Sequence, residues 1–164
     1  MDVAEQAFGN ELDPGAQASG GTMQLIAFSI GEQVYAVEIT TVREIRAWSG
    51  ATPLPRTREF VRGVINLRGT IVPIFDLRAR FGAGLTDATK NHVVIVMSVG
   101  EKWVGMLVDA VSDILTIPQN EIHAVPEGET MDTELLKGIV THGEKMVGMI
   151  DLPAIVAGVK TDVS

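Results

Sequence analysis

The sequence predicts an all-β protein with short helices, built as two small β-barrels that pack against one another. Three observations lead to this fold class: one module occurs twice, each copy alternates short apolar runs with turn residues, and each copy ends in one helix start signal. A barrel of about sixty residues buries little surface by itself. The two barrels should therefore share apolar surface.

The duplication is visible as two alignments of the chain with itself. Residues 25–45 match residues 94–114 without a gap at an offset of 69, and residues 62–77 match residues 137–152 at an offset of 75. A solenoid unit repeats every 20 to 50 residues or so, so this longer period indicates one module used twice.

Domain boundaries follow from the two copies. The first barrel should span about residues 23–84 and the second about 91–157, with an exchange of segments between them left open. Residues 1–22 are rich in Gly, Ala and acids without periodicity, which predicts a disordered tail. Residues 158–164 are assigned as a C-terminal tail, and residues 124–134 as a loop.

Within each copy, two apolar runs flank a G-E turn, and two further strands flank L-R-G or H-G-E. An Asp then follows in both copies. Asp76 and Asp151 are good N-caps for a short helix, and Gly82 and Gly158 are suitable C-terminal stops.

Composition excludes several classes of protein. The 164 residues are 46% hydrophobic and 21% charged, and no apolar run has the roughly eighteen residues of a bilayer span. The absence of Cys excludes disulfides and thiolate chemistry. No Lys or Arg precedes Arg43, so the N-terminus lacks the basic region of a secretory signal. A cytoplasmic location is expected.

The net charge of −8 argues against nucleic-acid binding, which depends on clustered Lys and Arg. The charge is unevenly distributed: residues 1–23 carry −4, residues 24–90 carry +3 and residues 91–164 carry −7. Every Arg lies between Arg43 and Arg80. The two halves should thus present different electrostatic faces to partners.

A search for catalytic chemistry finds no nucleophile elbow, phosphate loop or dinucleotide motif, so no enzyme, cofactor or metal is predicted. The isolated histidines are interpreted as surface or core residues, and the pair Asp109 and Asp113 as a solvated acidic edge. Three methionines of the second copy are interpreted as core residues, and Trp103 as either core or exposed anchor. The histidines are His92, His123 and His142, and the methionines are Met106, Met146 and Met149.

The stretch R-G-V-I-N-L-R-G-T-I-V-P-I-F-D-L-R, with V-R-E-I-R before it and V-G-M-L-V-D-A-V-S-D-I-L after it, resembles the CheW family of chemotaxis coupling proteins. The likeness covers residues 24 to about 157. It implies two five-stranded barrels of the Src-homology-3 type and a non-enzymatic adaptor. The implied partners are the regulatory domain of the histidine kinase CheA and the cytoplasmic tip of methyl-accepting chemotaxis receptors, with recruitment to receptor arrays at the inner face of the membrane.

The resemblance also implies two binding surfaces. The kinase-facing surface on the first barrel should include Glu44, Ile45, Arg62 and Ile71. The receptor-facing groove between the barrels should include Val42, Gly63, Arg68, Val93, Gly105, Val108 and Val111, with the two glycines giving a receptor helix room to approach.

Two of these residues, Arg68 and Ile45, can also be interpreted without the family resemblance. An Arg in a turn is usually a solvated charge, and only the resemblance gives Arg68 a functional role, for which a planar guanidinium is suited. Strand alternation in V-R-E-I places Ile45 opposite to Val42, so a buried Val42 predicts an exposed Ile45.

Alternatives remain open. One is a CheW-like paralogue that serves a non-flagellar chemosensory pathway. Another, from a different class, is a small barrel that binds nucleic acid through Arg56, Arg58, Arg62 and Arg68, which the low aromatic content and negative net charge disfavour. The second copy has T-H-G-E-K in place of N-L-R-G-T, so only one copy carries the turn Arg.

Overall fold

A computed structural model describes residues 21–125 and 133–157, which form ten strands and two short helices. The helices are α1 (Leu77–Arg80) and α2 (Leu152–Val156). The strands are β1 (Thr22–Ile30), β2 (Gln33–Glu38), β3 (Val42–Ala47), β4 (Val61–Leu67), β5 (Thr70–Asp76), β6 (Val93–Val99), β7 (Lys102–Val108), β8 (Ala110–Pro118), β9 (Leu136–His142) and β10 (Lys145–Ile150).

The strands form two five-stranded sheets. The sheet with the order β3-β6-β7-β5-β4 is the first barrel, and the sheet with the order β8-β1-β2-β10-β9 is the second barrel. An all-β protein of two packed SH3-like barrels with short helices, as predicted, is confirmed.

Each barrel takes strands from both copies of the module. The β1–β2 hairpin of the first copy lies in the second barrel, and the β6–β7 hairpin of the second copy lies in the first. Parallel pairs join them, β2 with β10 and β5 with β7. When each strand is replaced by its equivalent in the other copy, one strand order becomes the other. The exchange of hairpins between the two copies is therefore reciprocal. The sheets therefore do not follow the contiguous ranges 23–84 and 91–157.

Strand alternation buries both faces of the sheets, as strand β1 illustrates. Leu25 and Ala27 pack inside the second barrel, whereas Phe28 and Ile30 join a cluster between the two barrels, called here the inter-barrel core. That core also contains residues of the first barrel, including Phe75 and Met106. The exchange is thus accompanied by a shared apolar core, as the small size of each barrel requires.

Both helices begin as predicted. The Asp76 Oδ1 atom accepts a hydrogen bond from the Ala79 N–H at 3.3 Å, and Asp151 Oδ1 accepts one from the Ala154 N–H at 3.2 Å. Gly82 follows α1 with φ of +85°, a conformation that favours glycine. The other predicted stop, Gly158, lies outside the described residues.

Arg80 ties the two helices together across the molecule. Its guanidinium donates to the carbonyl oxygens of Ala154 (3.1 Å) and Ile155 (2.9 Å) at the end of α2. It also lies over the Phe60 ring, 4.8 Å from the ring centre. A cation at a helix C-terminus satisfies carbonyls that have no partner within the helix.

Two predicted irregular segments lie mostly outside the described residues. Strand β1 begins at Thr22, so the last residue of the predicted N-terminal tail belongs to a sheet, and residues 1–20 are not described. Of the predicted loop at 124–134, residues 126–132 are not described, and a 3₁₀ turn begins at Thr133.

The methionine prediction is confirmed for two residues and wrong for the third. Met106 and Met149 are buried, but Met146 is exposed because it lies at the start of β10, beside a hairpin turn. Trp48 and Trp103 both pack partly buried against the interior of the first barrel, so Trp103 is a core residue and not an exposed anchor.

Candidate functional site

The turn between β4 and β5 has an unusual residue at its first position. Arg68 has φ of +52° and Gly69 has φ of +89°, the signs of a type I′ hairpin turn, in which glycine and asparagine are normal. The equivalent of Arg68 in the second copy is Gly143, with φ of +66°. The first copy therefore keeps an Arg in a conformation that its own duplicate gives to glycine, and such local strain is a feature of functional sites.

The Arg68 guanidinium reaches from this turn to the edge strand β3. Its Nη2 atom donates to Glu44 Oε1 at 2.8 Å, and Arg46 donates to the other carboxylate oxygen of Glu44 at 3.2 Å. The prediction placed Glu44 on the kinase-facing surface and Arg68 on the receptor-facing surface. The ion pair therefore connects residues of the two predicted surfaces. We call Glu44, Ile45, Arg68 and Ile71 the hairpin patch.

The hydrogen bond from Arg68 holds the pKa of the Glu44 carboxyl below its ordinary value. Partial removal from water opposes this effect, and the charges of Arg68 and Arg46 add to it. A lowered pKa means that the stabilisation by this pair is present above the ordinary Glu pKa and is lost as the pH falls through the lowered pKa.

We therefore expect Arg68→Ala to raise the pKa of Glu44. The change removes the first cause of the shift and leaves only the weaker contribution of Arg46. A carboxyl-carbon NMR titration of Glu44 measures this directly. Arg58→Ala is the matched control, because the Arg58 side chain is exposed and has no partner among the described residues. An unchanged Glu44 pKa in Arg68→Ala would show that the pair does not form in solution.

Two large apolar side chains on the strands that the ion pair connects to the turn are exposed. Ile45 follows Glu44 in β3 and is 43% exposed, and Ile71 lies in β5 near the turn and is 41% exposed. Their equivalents in the second copy, Ile114 and Met146, are also exposed, at 55% and 63%. Exposed apolar side chains beside a fixed ion pair are typical of a protein-binding surface.

Ile45 is exposed for a different reason from the one predicted. A β-bulge at Arg43 shifts the register, so that Val42 lies opposite Met97 and Ile45 opposite Ile95. Directly opposite residues share a face, and Met97 and Ile95 both belong to the inter-barrel core. Val42 and Ile45 therefore share one face, and the alternation argument was wrong. Ile45 stays accessible because β3 is an edge strand.

Arg62, the fourth predicted kinase contact, points into the molecule. Its Nη1 atom donates to Asp76 Oδ2 at 2.9 Å and to the Thr86 carbonyl oxygen at 2.7 Å, and its guanidinium lies 5.5 Å from the centre of the Trp48 ring. Asp76 is completely buried. This contact set gives Arg62 an internal structural role.

The four predicted receptor-facing valines all belong to the inter-barrel core or pack against it. Val42, Val93 and Val111 pack partly buried against the margin of the inter-barrel core, and Val108 is buried within it. Val42 and Val111 are equivalent residues of the two copies, each beside a β-bulge in an edge strand. The structure thus places these valines between the barrels but leaves Arg68 on the hairpin patch.

The two predicted glycines face their own chain. A Cβ atom on Gly63 would lie 2.2 Å from the carbonyl oxygen of Thr52, and one on Gly105 would lie 2.6 Å from Ile74 Cδ1 and 2.9 Å from Val94 Cγ1. The room that the sequence argument gave to an incoming helix is therefore occupied by the protein itself.

One contact between the barrels had no sequence signal. Asp109 accepts a hydrogen bond from the Gly31 N–H at 2.6 Å across the barrels and lies 3.4 Å from His92 Nε2. Asp109 is thus part of an inter-barrel contact, not simply a solvated acid as predicted, whereas Asp113 is exposed. The Glu44–Arg68 pair likewise had no sequence signal, because the two residues lie 24 positions apart.

Within residues 21–125 and 133–157, no group of three or more His, Asp or Glu side chains is arranged to hold a metal ion. The same part of the chain has no helix with the length and hydropathy of a membrane span. Two arginines of the alternative nucleic-acid patch, Arg62 and Arg68, are engaged in ion pairs.

Two fused barrels with an exposed apolar patch beside an ion pair define a protein-interaction module. A family model described as a CheW-like domain matches residues 24–160. The chain is 46% identical over 136 residues to the probable chemotaxis protein CheW of Rhizobium etli, covering 82% of this chain and 88% of that protein. It is 41% identical over 138 residues to the chemotaxis protein CheW of Rhizobium meliloti, covering 84% and 89%.

The structural comparison agrees. The solved scaffolding protein TtCheW from Thermoanaerobacter tengcongensis matches with a TM-score of 0.74 and 35% identity, covering 79% of this chain and 84% of that one. Protein FrzA of Myxococcus xanthus is 29% identical over 117 residues, covering 71% and 73%. The chain belongs to the CheW family, the coupling adaptors of bacterial chemotaxis.

Proposed function

We propose that this protein is a non-enzymatic adaptor that binds the regulatory domain of a CheA-type histidine kinase and the cytoplasmic tip of methyl-accepting receptors. It thereby places kinase activity under receptor control, and its partners recruit it to arrays at the inner face of the membrane. The observation that carries the proposal is the hairpin patch, where Ile45 and Ile71 are exposed beside the Glu44–Arg68 pair.

The kinase binds through the hairpin patch in this proposal. Ile45 and Ile71 supply apolar contact, and the ion pair excludes other orientations because its charges are already fixed. Arg62 supports the patch from behind, since it anchors β4 to the buried Asp76. The positive charge of residues 24–90 favours an acidic partner surface.

The receptor binds along the margin of the inter-barrel core. Val42, Val93 and Val111 offer partly exposed apolar surface there, and the cytoplasmic tip is a helical hairpin whose apolar face can cover them. Val108, Gly63 and Gly105 contribute by shaping this margin from within, because all three are buried. Arg68 takes part by holding β3, on which Val42 lies.

We expect the kinase regulatory domain from the same genome to bind the full chain with micromolar affinity, about −8 kcal/mol, in isothermal titration calorimetry. Ile45→Asp should weaken binding by about 2 kcal/mol or more, roughly thirtyfold, because it places a charge in the centre of the apolar contact. The titration is repeated at two temperatures so that a zero enthalpy is not read as no binding.

Ile114→Asp is the matched control for this titration. It makes the same change at the equivalent and more exposed position of the other copy. Normal binding by Ile114→Asp assigns the kinase to the hairpin patch. Equal loss in both variants would contradict that assignment, and no heat with the unmodified chain would contradict kinase binding itself.

A second candidate is an adaptor for a non-flagellar chemosensory pathway. The similarity to protein FrzA, a relative that is not named as a CheW, indicates that paralogues exist, although at 29% identity it is weaker than the 46% identity to the Rhizobium etli protein. Deletion of the chromosomal copy distinguishes the two: loss of swimming chemotaxis supports the first candidate, and intact swimming chemotaxis with another chemosensory defect supports the second.

A further inference from the structure

A groove of about 570 Å³ lies on the first barrel between its two edge strands, β3 and β4. One wall is the end of β3 with the chain that follows it, and the other wall is the second half of β4 with the adjacent part of β5. Because β3 and β4 are at opposite edges of the sheet, this groove is the place where strand pairing does not close the barrel. We call it the seam; it is lined by residues 46–52, residues 64–66, Ile71 and Val94.

Main-chain pairing closes the seam at one end and stops. The Thr52 N–H donates to the Val64 carbonyl oxygen at 2.9 Å, and the Val64 N–H donates to the Thr52 carbonyl oxygen at 2.8 Å. Continuation of this antiparallel register would place Gly50 opposite Asn66. Gly50 has φ of +97°, which is not a strand conformation, so the chain turns away from β4 there. The main-chain N–H and carbonyl of Asn66 face the seam as those of Val64 do, and they have no partner among the described residues.

The edge of β3 presents a second set of unpaired main-chain groups. The Trp48 N–H donates to the His92 carbonyl oxygen at 2.9 Å, so the main chain of Trp48 faces the β6 side. Main-chain groups alternate along a strand, so those of Arg46 also face β6, whereas those of Ile45 and Ala47 face the seam. The seam is therefore bordered on both sides by donors and acceptors that an added strand can pair with.

The base of the seam is apolar, with one cation above it. Val94 belongs to the interior cluster of the first barrel, and Ile65 packs against that cluster. Arg46 lies opposite Val94 and is the only charged residue that lines the seam among the described residues. Its Nη1 atom donates to Glu44 at 3.2 Å, and its other nitrogen atoms have no hydrogen bond in the described part of the chain. These free donors favour a carboxylate.

We propose that an extended acidic segment of a partner protein binds in the seam as an added strand. Its main chain pairs with Asn66 on one side and with Ala47 and Ile45 on the other, since successive residues of a strand bond to opposite neighbours. Every second side chain points inward, so an apolar side chain covers the base of the seam and an acid two residues away pairs with Arg46.

This inference goes beyond the proposed function. The seam recognises main chain and one acid, whereas the hairpin patch offers apolar side chains to the kinase. The two surfaces are neighbours, because Ile71 belongs to both and Arg46 is bonded to Glu44. Ala47 lines the seam and is not part of the hairpin patch, so a change there tests the seam whether or not the kinase binds.

The probe is the peptide Thr-Val-Thr-Asp-Thr, acetylated and amidated, in which the apolar side chain and the acid share one face of a strand. It is titrated into the isotope-labelled full chain and followed by amide NMR signals. We expect saturable shifts at Ala47, Gly50 and Asn66, with slower hydrogen exchange at the Ala47 and Asn66 N–H groups. The same peptide with Asn in place of Asp should bind about tenfold more weakly, because it cannot form the ion pair with Arg46.

Ala47→Pro is the variant that tests main-chain pairing. Proline removes an N–H that faces the seam and leaves the bonds between β3 and β6 in place, as is usual for proline on an edge strand. Ala47→Val is the matched control, since it keeps the N–H. Peptide binding should be lost in Ala47→Pro alone, while the amide signals of β6 and β7 show that both variants are folded.

Arg46→Gln supplies a second test that does not depend on proline. It should lower the affinity of the Asp peptide to that of the Asn peptide. Equal binding by folded Ala47→Pro and Ala47→Val, shifts that lie outside the seam, or no saturable shift with millimolar peptide overturns the proposal. Equal affinity of the unmodified chain for the Asp and Asn peptides also overturns it, because Arg46 would then not select an acid.

Discussion

Arg62→Met should destabilise the fold by about 3 kcal/mol or more, because it leaves Asp76 buried without its cation. The guanidinium provides one of the four hydrogen bonds that Asp76 accepts, and it is the only cation in this cluster among the described residues. Methionine replaces the aliphatic part of the side chain, so the loss is mainly electrostatic. Urea unfolding of the two proteins, fitted to a two-state transition, measures the difference.

Arg58→Met is the control for Arg62→Met, since the Arg58 side chain is exposed and has no partner among the described residues. Its replacement should change stability by less than about 0.5 kcal/mol. Asp76→Asn supplies a double-mutant cycle. If Arg62 acts through Asp76, the effect of Arg62→Met should shrink in the Asp76→Asn background. A stable Arg62→Met protein that nevertheless fails to bind the kinase would restore Arg62 to the kinase contact.

Gly63→Ala should destabilise the protein by about 3 kcal/mol or more, through two effects that add. Gly63 has φ of +137°, which side-chain-bearing residues rarely adopt, and its Cβ would lie 2.2 Å from the Thr52 carbonyl oxygen. That oxygen also accepts the hydrogen bond from the Val64 N–H at 2.8 Å. Backbone cannot move aside as a side chain can, so the segment that covers the edge of β4 must shift. Thermal unfolding by circular dichroism measures the loss.

Gly69→Ala separates the two effects in Gly63→Ala. Gly69 also has a positive φ, +89°, but nothing lies within 4 Å of its Cβ position. It should therefore show only the conformational cost, about 1 to 2 kcal/mol. If Gly63→Ala costs no more than Gly69→Ala, the close approach of Thr52 does not exist in solution, and a receptor contact at Gly63 becomes tenable again.

Much of the architecture could be read from the sequence. The repeat with offsets of 69 and 75 gave the equivalence of the strands, and β9 (Leu136–His142) lies 75 residues after β4 (Val61–Leu67) at both ends. Asp76 and Asp151 marked the helix starts correctly. These features are local, since they depend on turn residues, caps and alternation along the chain.

Features that depend on distant partners were missed or misassigned. The β-bulge at Arg43 placed Val42 and Ile45 on one face, because a single extra residue reverses the alternation that follows. Arg62 and Arg68 look alike in sequence, yet one neutralises a buried acid and the other closes an exposed turn onto Glu44. Their roles depend on residues 14 and 24 positions away, which the sequence does not pair.

The sequence by itself determined the class of protein, the module, its duplication and its helix starts, because turn chemistry, caps and apolar alternation act between near neighbours. The tertiary structure alone decided which hairpin joins which sheet. Each hairpin fits either copy locally, and the choice depends on burying Phe28, Tyr35, Phe75 and Met106 in one core between the barrels. It also decided that Arg68 pairs with Glu44, since only the approach of the β4–β5 turn to β3 brings these two side chains together.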